Sequence, residues 1–271
     1  MLKIDISKKL HGSRGDMTLF VNAVVNKGEF IALMGESGSG KTTLLRVLAG
    51  LEEATGAIEL EGVAWLNGSQ NIKSQHREIG FVFQDYALFD NMSVEENLLF
   101  VNDDKTLAKQ LLEMTDLATL DQRNVQALSG GQKQRVSLCR AMMKKPKLLL
   151  MDEPLSALDP QMRAKLQKEI KQLHDTFGTT TIMVSHDVRE VYTLAERVWV
   201  MKQGQIVQDD LVDEVLASKD KEYKVEVLKL MRVSGKTMAR VFLATELMDV
   251  EVSEMVKIGD IIELKLNPQI Q

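Results

Sequence analysis

The sequence predicts an α/β fold built around a phosphate-binding loop, with an antiparallel β lobe, a helical insertion and a small β-rich appendage at its C-terminal end. Three observations predict it. Gly35-Glu36-Ser37-Gly38-Ser39-Gly40-Lys41-Thr42 has the spacing G-x-x-x-x-G-K-[ST] and stands between an apolar run and a helix-like run. Short apolar or β-branched runs end in polar residues: Ile79–Phe83 before Gln84 and Asp85, Leu148–Met151 before Asp152 and Glu153, and Thr179–Val184 before Ser185, His186 and Asp187. Buried parallel strands read as such unbroken runs, and open α/β sheets bind ligands at the C-terminal ends of their strands. Between them lie stripes of helical period, such as Met162, Leu166, Ile170 and Leu173.

Taken in order, Met1 to Ser7 alternates as a half-buried strand does, and residues 1–34 read as strands broken at Gly12–Asp16 and again at Val25–Gly28. Phe30–Met34 is a buried strand feeding the loop, and Thr43–Ala49 a helix closed by Gly50. In the loop, small residues at 35, 38 and 40 let backbone N–H groups curl round phosphate oxygens. The helix N-terminus adds partial positive charge, Lys41 reaches the β and γ phosphates, and the Thr42 hydroxyl is a ligand for Mg²⁺. Gly56–Leu60 and Val63–Leu66, split by Glu61-Gly62 and ended by Asn67-Gly68, read as a hairpin-rich lobe.

Ser93-Val94-Glu95-Glu96 is a capping box, and Lys105–Met114 keeps helical periodicity, so residues 87–127 read as a helical insertion. Leu128-Ser129-Gly130-Gly131-Gln132 then opens a helix whose apolar stripe is Val136, Cys139, Met142 and Met143, and its glycines expose a helix N-terminus to an anion. Pro154 stops the strand that delivers Asp152 and Glu153. Val188–Ala195 is helical, and Val198–Met201 and Gln205–Val207 flank Gly204 as a hairpin. From residue 222 the composition turns β-like, in Tyr223–Val233, Met238–Leu243 and Ile261–Leu266.

Composition narrows the function classes. A formal net charge of -5 over 271 residues argues against binding nucleic acid through bulk positive charge, and Lys144-Lys145-Pro146-Lys147 reads as a solvated turn. The single cysteine, Cys139, reads as buried and structural, which fits a reducing compartment. The opening residues lack the pattern of a signal peptide, and no apolar run approaches the ~18 residues of a membrane span, so membranes enter only through a partner. His76 and His174 are assigned no role.

With these motifs in chain order, residues 1 to about 217 resemble ATP-binding cassette proteins, the nucleotide-binding subunits of ABC transporters. Gly35–Thr42 is similar to the Walker A motif, Gln84 to the Q-loop, Leu128–Gln132 to the LSGGQ signature, Leu148–Asp152 to the Walker B strand, Ser156-Ala157-Leu158-Asp159 to the D-loop and His186 to the switch histidine. The resemblance implies an ATPase domain over 1–221, with a helical subdomain at about 87–145, and an appendage over 222–271. It implies ATP contacts from Gly35, Glu36, Ser37, Gly38, Ser39, Gly40, Lys41, Thr42 and Thr43, and Mg²⁺ held by Thr42, Gln84 and Asp152. Glu153 is the expected general base, with His186, Lys41 and Gln84 completing the catalytic set. Ser129, Gly130, Gly131 and Gln132 are expected to meet the ATP of a second copy in a nucleotide-sandwich homodimer, with Asp159 coupling the two sites.

The family often stacks an aromatic on adenine, and Lys8–Asp16 has none; His11 is the nearest substitute, with Phe20 less well placed. Phe81–Phe89 and Met92–Asn97 resemble importer cassettes, with Tyr86–Phe89 expected to line the groove for a permease's coupling helix. The opening residues and Trp65-Leu66-Asn67 look most like molybdate or related oxyanion importers, with sulfate, polyamine or sugar importers as alternatives. The resemblance further implies transmembrane permease subunits, an indirect link to a solute-binding protein, and a peripheral place at the cytoplasmic face of the cell membrane. Two other classes are weighed: a soluble cassette of translation or DNA repair, disfavoured by the single cassette and the lack of a long coiled-coil insertion, and an oxyanion-sensing role for the tail.

Overall fold

The computed structural model describes residues 1–12, 15–68, 70–156, 158–216, 222–233, 236–243, 246–253 and 255–265. Two long strands open the chain, β1 (Leu2–Gly12) and β2 (Gly15–Val25), paired antiparallel along their whole length. β3 (Phe30–Gly35) runs into the phosphate-binding loop, and α1 (Lys41–Leu48) follows it, ending at left-handed Gly50. β4 (Thr55–Leu60), β5 (Val63–Asn67) and the short β6 (Gln70–Asn71) form the antiparallel lobe beside β1. β7 (Ile79–Val82) ends one residue before the predicted run, and Phe83 stacks on Phe81 with ring centroids 4.2 Å apart.

Three helices follow: α2 (Val94–Leu99), α3 (Lys105–Met114) and α4 (Gly130–Met142). The capping box of α2 forms as the sequence predicts, with the Glu96 N–H donating to Ser93 Oγ and the Ser93 N–H to Glu96 Oε2. β8 (Leu148–Asp152), α5 (Pro160–Phe177), β9 (Thr180–Val184) and α6 (Val188–Leu194) alternate next. The hairpin β10 (Arg197–Lys202) and β11 (Gln205–Leu211) leads to α7 (Val212–Leu216), a short helix without a strong period in the sequence.

Among the described residues, β1–β11 form one eleven-stranded mixed sheet, ordered β6-β5-β4-β1-β2-β11-β10-β3-β9-β8-β7. Neighbours from β10 to β7 pair parallel. Side chains alternate across this part: Leu148 and Leu150 join the core under α1, while Leu149 and Met151 join the core under α4 and α5. Both faces are therefore dry, which is why β8 needed an unbroken apolar run. Cys139 is buried in the second core beside Thr115, and burial pushes its thiol up to about 12. His174 is also buried and satisfied, sharing a hydrogen bond with Thr181 and packing on Phe30.

The chain divides into two compact units, Met1–Leu216 and Ala217–Gln271. In the second, β12 (Glu222–Val233), β13 (Lys236–Leu243), β14 (Glu246–Glu251) and β15 (Ile261–Lys265) form a four-stranded antiparallel sheet, ordered β14-β13-β12-β15. β14 escaped the sequence because Glu246, Asp249 and Glu251 break its apolar pattern; Asp249 is instead a cross-strand partner of Arg240 at 2.7 Å.

Arg77 fastens the antiparallel lobe to the helix after the loop. It is 2% exposed, and its guanidinium donates to the Val47, Leu48 and Ile72 carbonyls and to Asn71 Oδ1, over the ring of Trp65. Two of those carbonyls are the last of α1, where a cation is favoured. Burial lowers its pKa to about 10, so it stays charged at neutral pH. Arg77→Met removes the donor to the Leu48 and Ile72 carbonyls and to Asn71 Oδ1, while Val47 O keeps the Gly50 N–H, and the urea midpoint is expected to fall by the equivalent of about 2–4 kcal/mol. Arg77→Lys is expected to recover less than half of that, having no fork to span the acceptors; an unchanged midpoint for Arg77→Met would overturn this role.

Candidate functional site

The parallel strands deliver their polar residues to one edge. Gly35 closes β3, Gln84 lies two residues past β7, Asp152 ends β8 with Glu153 next, and His186 lies two residues past β9. In register, Asp152 pairs with Val184 and Leu33 with the same Val184, so these ends are level. A cleft of about 670 Å³ at this edge is lined by Gly35, Ser37, Gly38, Gly40, Lys41, Thr42, Thr43, Gln84, Glu153 and His186.

Gly40 is the N-cap of α1 at φ 103°, and no side chain caps that end. The first N–H groups of the helix thus lack a side-chain acceptor, the arrangement that receives phosphate oxygens. Lys41 Nζ is turned back on the loop, donating to Gly35 O at 2.8 Å and Glu36 O at 2.9 Å. Burial lowers the pKa of Lys41, opposed by the charges of Glu153 and Asp152. Thr42 Oγ1 donates to Asp152 Oδ1 at 3.2 Å, joining the loop to the end of β8. Burial raises the pKa of Asp152, a shift the Thr42 hydrogen bond offsets.

Glu153 has a left-handed backbone, φ 48°, unusual for a residue with a side chain. Its N–H donates to Val184 O, and its carbonyl accepts from the Ser156 hydroxyl at 3.0 Å. The turn carries the Glu153 carboxylate to 3.8 Å from His186 Nδ1. Gln84 is followed by two more left-handed residues, Tyr86 and Ala87. Arg140, in the last turn of α4, donates to both of their carbonyls and lies over the ring of Phe89. A nearby groove of about 370 Å³ is lined by Phe81, Phe83, Val101, Arg140 and Lys144. Tyr86 and Ala87 are held by their carbonyls on Arg140.

Ser129, Gly130, Gly131 and Gln132 lie outside the cleft, at the start of α4. Ser129 and Gln132 cap their own helix: Ser129 Oγ accepts from the Gln132 N–H and Gln132 Oε1 from the Ser129 N–H. A Cβ on Gly131 would meet Met162 at 3.1 Å, which packs this helix start against α5. Asp159, also outside the cleft, is the N-cap of α5, accepting from Gln161 N and Met162 N. Ala157 and the side chain of His11 fall outside the described residues. Phe20 is 47% exposed and lines neither the cleft nor the hollow beside it; Leu10 and Met17 line both. An aliphatic and a thioether wall has no motif, so neither residue was flagged by the sequence.

The sequence profile of the ABC transporter family matches residues 20–156. The sulfate/thiosulfate import ATP-binding protein CysA 2 of Rhizobium meliloti is 45% identical over 72% of this chain and 56% of its own length. The corresponding protein of Salmonella typhi is 41% identical over 78% of this chain and 61% of its own. The chain thus spans a little over half the length of the curated relatives it matches. Among solved structures, a dimeric ATP-binding cassette in a post-hydrolysis state, bound to ADP and Pi, matches at TM-score 0.68 and 27% identity, over 78% of this chain and 99% of that one. A part of the ABC transporter complex cbiONQ from Clostridium perfringens matches at TM-score 0.70 and 28% identity, over 80% and 91%.

The loop glycines differ in what they tolerate. A Cβ on Gly35 would stand 2.2 Å from the Met201 carbonyl oxygen of β10, whereas one on Gly38 would meet nothing within 4 Å. Gly38→Ala is therefore expected to cost about 1–2 kcal/mol, from its positive φ alone. Gly35→Ala is expected to cost more than about 3 kcal/mol, since backbone must move. Chemical denaturation of the two variants checks this, and equal losses would refute it.

Proposed function

The chain belongs to the ABC transporter family, and from that premise we propose that it is the ATP-hydrolysing subunit of an importer for sulfate or a related oxyanion. The observation that carries the ATPase reading is the single cleft shared by Lys41, Thr42, Gln84, Glu153 and His186. In this reading residues 1–221 carry the ATPase and 222–271 an appendage. Two copies close head to tail on ATP and drive transmembrane permease subunits, which receive solute from a solute-binding protein. Among the described residues no helix is long and apolar enough to cross a membrane. The proposed location is peripheral, at the cytoplasmic face of the membrane.

The triphosphate is held by the loop N–H groups from 35 to 43 and by Lys41, whose ammonium moves from the Gly35 and Glu36 carbonyls to phosphate oxygens. Phosphates beside Lys41 restore the charged form that burial disfavours. Among the described residues no group of three or more His, Cys, Asp or Glu side chains could hold a metal ion. The hard oxygens of Thr42 and Asp152, 3.2 Å apart, fit Mg²⁺, which binds through one or two carboxylates together with substrate phosphates. Gln84 would add a third oxygen, and the ion would supply positive charge to offset that of the phosphates.

Glu153 takes the proton of the attacking water as its oxygen bonds to the γ phosphorus and the bridging P–O bond breaks, leaving ADP and phosphate. His186 orients that water and the γ-phosphate. The second half of the site is Ser129–Gln132 of the partner, whose helix N-terminus faces the same phosphates, and Asp159 couples the two sites.

The oxyanion reading follows from the names of the relatives, which are sulfate and thiosulfate importers at 41–45% identity. They favour the sulfate class over molybdate. Uptake of radiolabelled sulfate and of molybdate in a strain lacking this chain tests it: loss of sulfate uptake supports the assignment, loss of molybdate uptake alone overturns the preference for sulfate, and loss of neither overturns the oxyanion reading.

Glu153→Gln is expected to keep ATP binding while hydrolysis falls at least ~10²-fold, the scale of a lost general base. Near-normal turnover would remove Glu153 from that role. Ser129→Ala is expected to slow hydrolysis and weaken ATP-dependent dimerisation, read by size-exclusion chromatography, with monomer nucleotide affinity within about two-fold of wild type. A collapse of monomer affinity would mean that the signature does not act across a dimer.

A further inference from the structure

Arg163 lies one turn into α5, and its own N–H donates to Asp159 O at 2.9 Å. Its guanidinium reaches in three directions. Nη1 donates to Asp187 Oδ2 at 3.0 Å, Nη2 donates to Leu158 O at 3.3 Å, and Nε stands 3.5 Å from Glu190 Oε1. The first and third are on the segment that carries His186, while the second is a backbone carbonyl just before α5.

That segment is itself knitted together. Asp187 caps α6, its Oδ1 accepting from Arg189 N at 2.8 Å and Glu190 N at 3.4 Å, which leaves Oδ2 for Arg163. Glu190, 5% exposed, accepts from the Ser185 hydroxyl at 2.5 Å, and Ser185 Oγ accepts from Asp187 N at 3.1 Å. Burial raises the Glu190 pKa, while Ser185 and Arg163 favour its ionised form. Ser185 and Asp187 are thus fixed on either side of His186, whose own side chain is 69% exposed and lines the cleft beside Glu153.

We propose that Arg163 is a positioning residue: a strut that ties the backbone at Leu158 and Asp159 to the segment Ser185–Glu190, so that a shift of the former is passed to His186. The proposal rests on the reading of this chain as an ABC ATPase in which His186 meets the γ-phosphate. The strut links two segments of one chain, Leu158–Asp159 and Ser185–Glu190, each predicted to act on bound nucleotide. A displacement of His186 by about 1 Å is enough to cost up to ~10² in rate. Arg is the residue that serves, because one planar fork spans two carboxylates and a carbonyl; Lys can satisfy only one or two of them.

A double-mutant cycle in the full-length chain separates this role from simple packing of α5 on α6. Arg163→Met is expected to lower kcat about 10- to 100-fold, with KM for Mg-ATP within about two-fold, and Arg163→Lys to recover part of the rate. In a His186→Ala background, Arg163→Met is expected to change kcat by less than about two-fold, since its effect acts through the imidazole already removed. Losses that multiply across the two sites would overturn the strut. So would a rise in KM that accounts for the whole loss. Should Arg163→Met fail to fold by circular dichroism, Arg163→Gln takes its place in the same cycle. A wild-type protein with no ATP turnover sinks the ATPase reading and the strut with it, whereas multiplying losses in an active enzyme sink the strut alone.

Discussion

The constraint on which the rest of the structure depends is that β3, β7, β8 and β9 are buried on both faces. A parallel sheet covered by helices on each side has no polar face to spare, so functional groups are confined to the loops beyond its strand ends. The four strands end level, which brings Gly35, Gln84, Asp152 and His186 together although the chain separates them by up to 151 residues, from 35 to 186. The alternation of Leu148 to Met151 between two cores holds that level fixed, because a slip of one residue in β8 would exchange every side chain between them.

Internal bonds meet the charges at that edge. Lys41 is occupied by two carbonyls of its own loop, and Asp152 by the Thr42 hydroxyl. Both groups have pKa values moved toward the neutral form by burial. In the proposed reading a triphosphate with its Mg²⁺ would offset both penalties at once, bringing anions to the lysine and a cation to the carboxylate, so that the two groups would not act as independent contacts.

Much of this was legible in the sequence, because the informative signals were local. The loop has a fixed spacing of small residues, the strands are apolar runs closed by polar pairs, and α2 opens on the capping box read from Ser93–Glu96, while the second box, at Ser129 and Gln132 of α4, was not read. What escaped was the set of arginines that join distant segments. Arg77 reaches back 30 residues to Val47, Arg140 reaches 54 to Tyr86, and Arg163 reaches 24 to Asp187. Their partners are mostly backbone carbonyls, which every residue has, so no side-chain pattern reveals them. Leu10 and Met17 were missed for a different reason: a wall of aliphatic side chains beside a nucleotide cleft reads as ordinary core.

The proposed second half of the site has a chemical economy that the capping box makes visible. Ser129 Oγ accepts from the Gln132 N–H, which uses a lone pair and leaves the hydroxyl proton unspent. Gln132 Oε1 accepts from the Ser129 N–H, and so fixes the serine from the other side. The residue is therefore held in place by its acceptor capacity while keeping its donor for an anion. Gly130 lies exposed and Gly131 buried at the start of α4, where a Cβ would press on Tyr86 Oη or on Met162, each at 3.1 Å. Small residues here do two things together: they clear a path to the helix N-terminus, and they let the Gln84 loop and α5 pack against it. In the proposed dimer, a movement of phosphates held against Ser129 would bear on the segment after Gln84 and, through Met162, on the turn of α5 that carries Arg163.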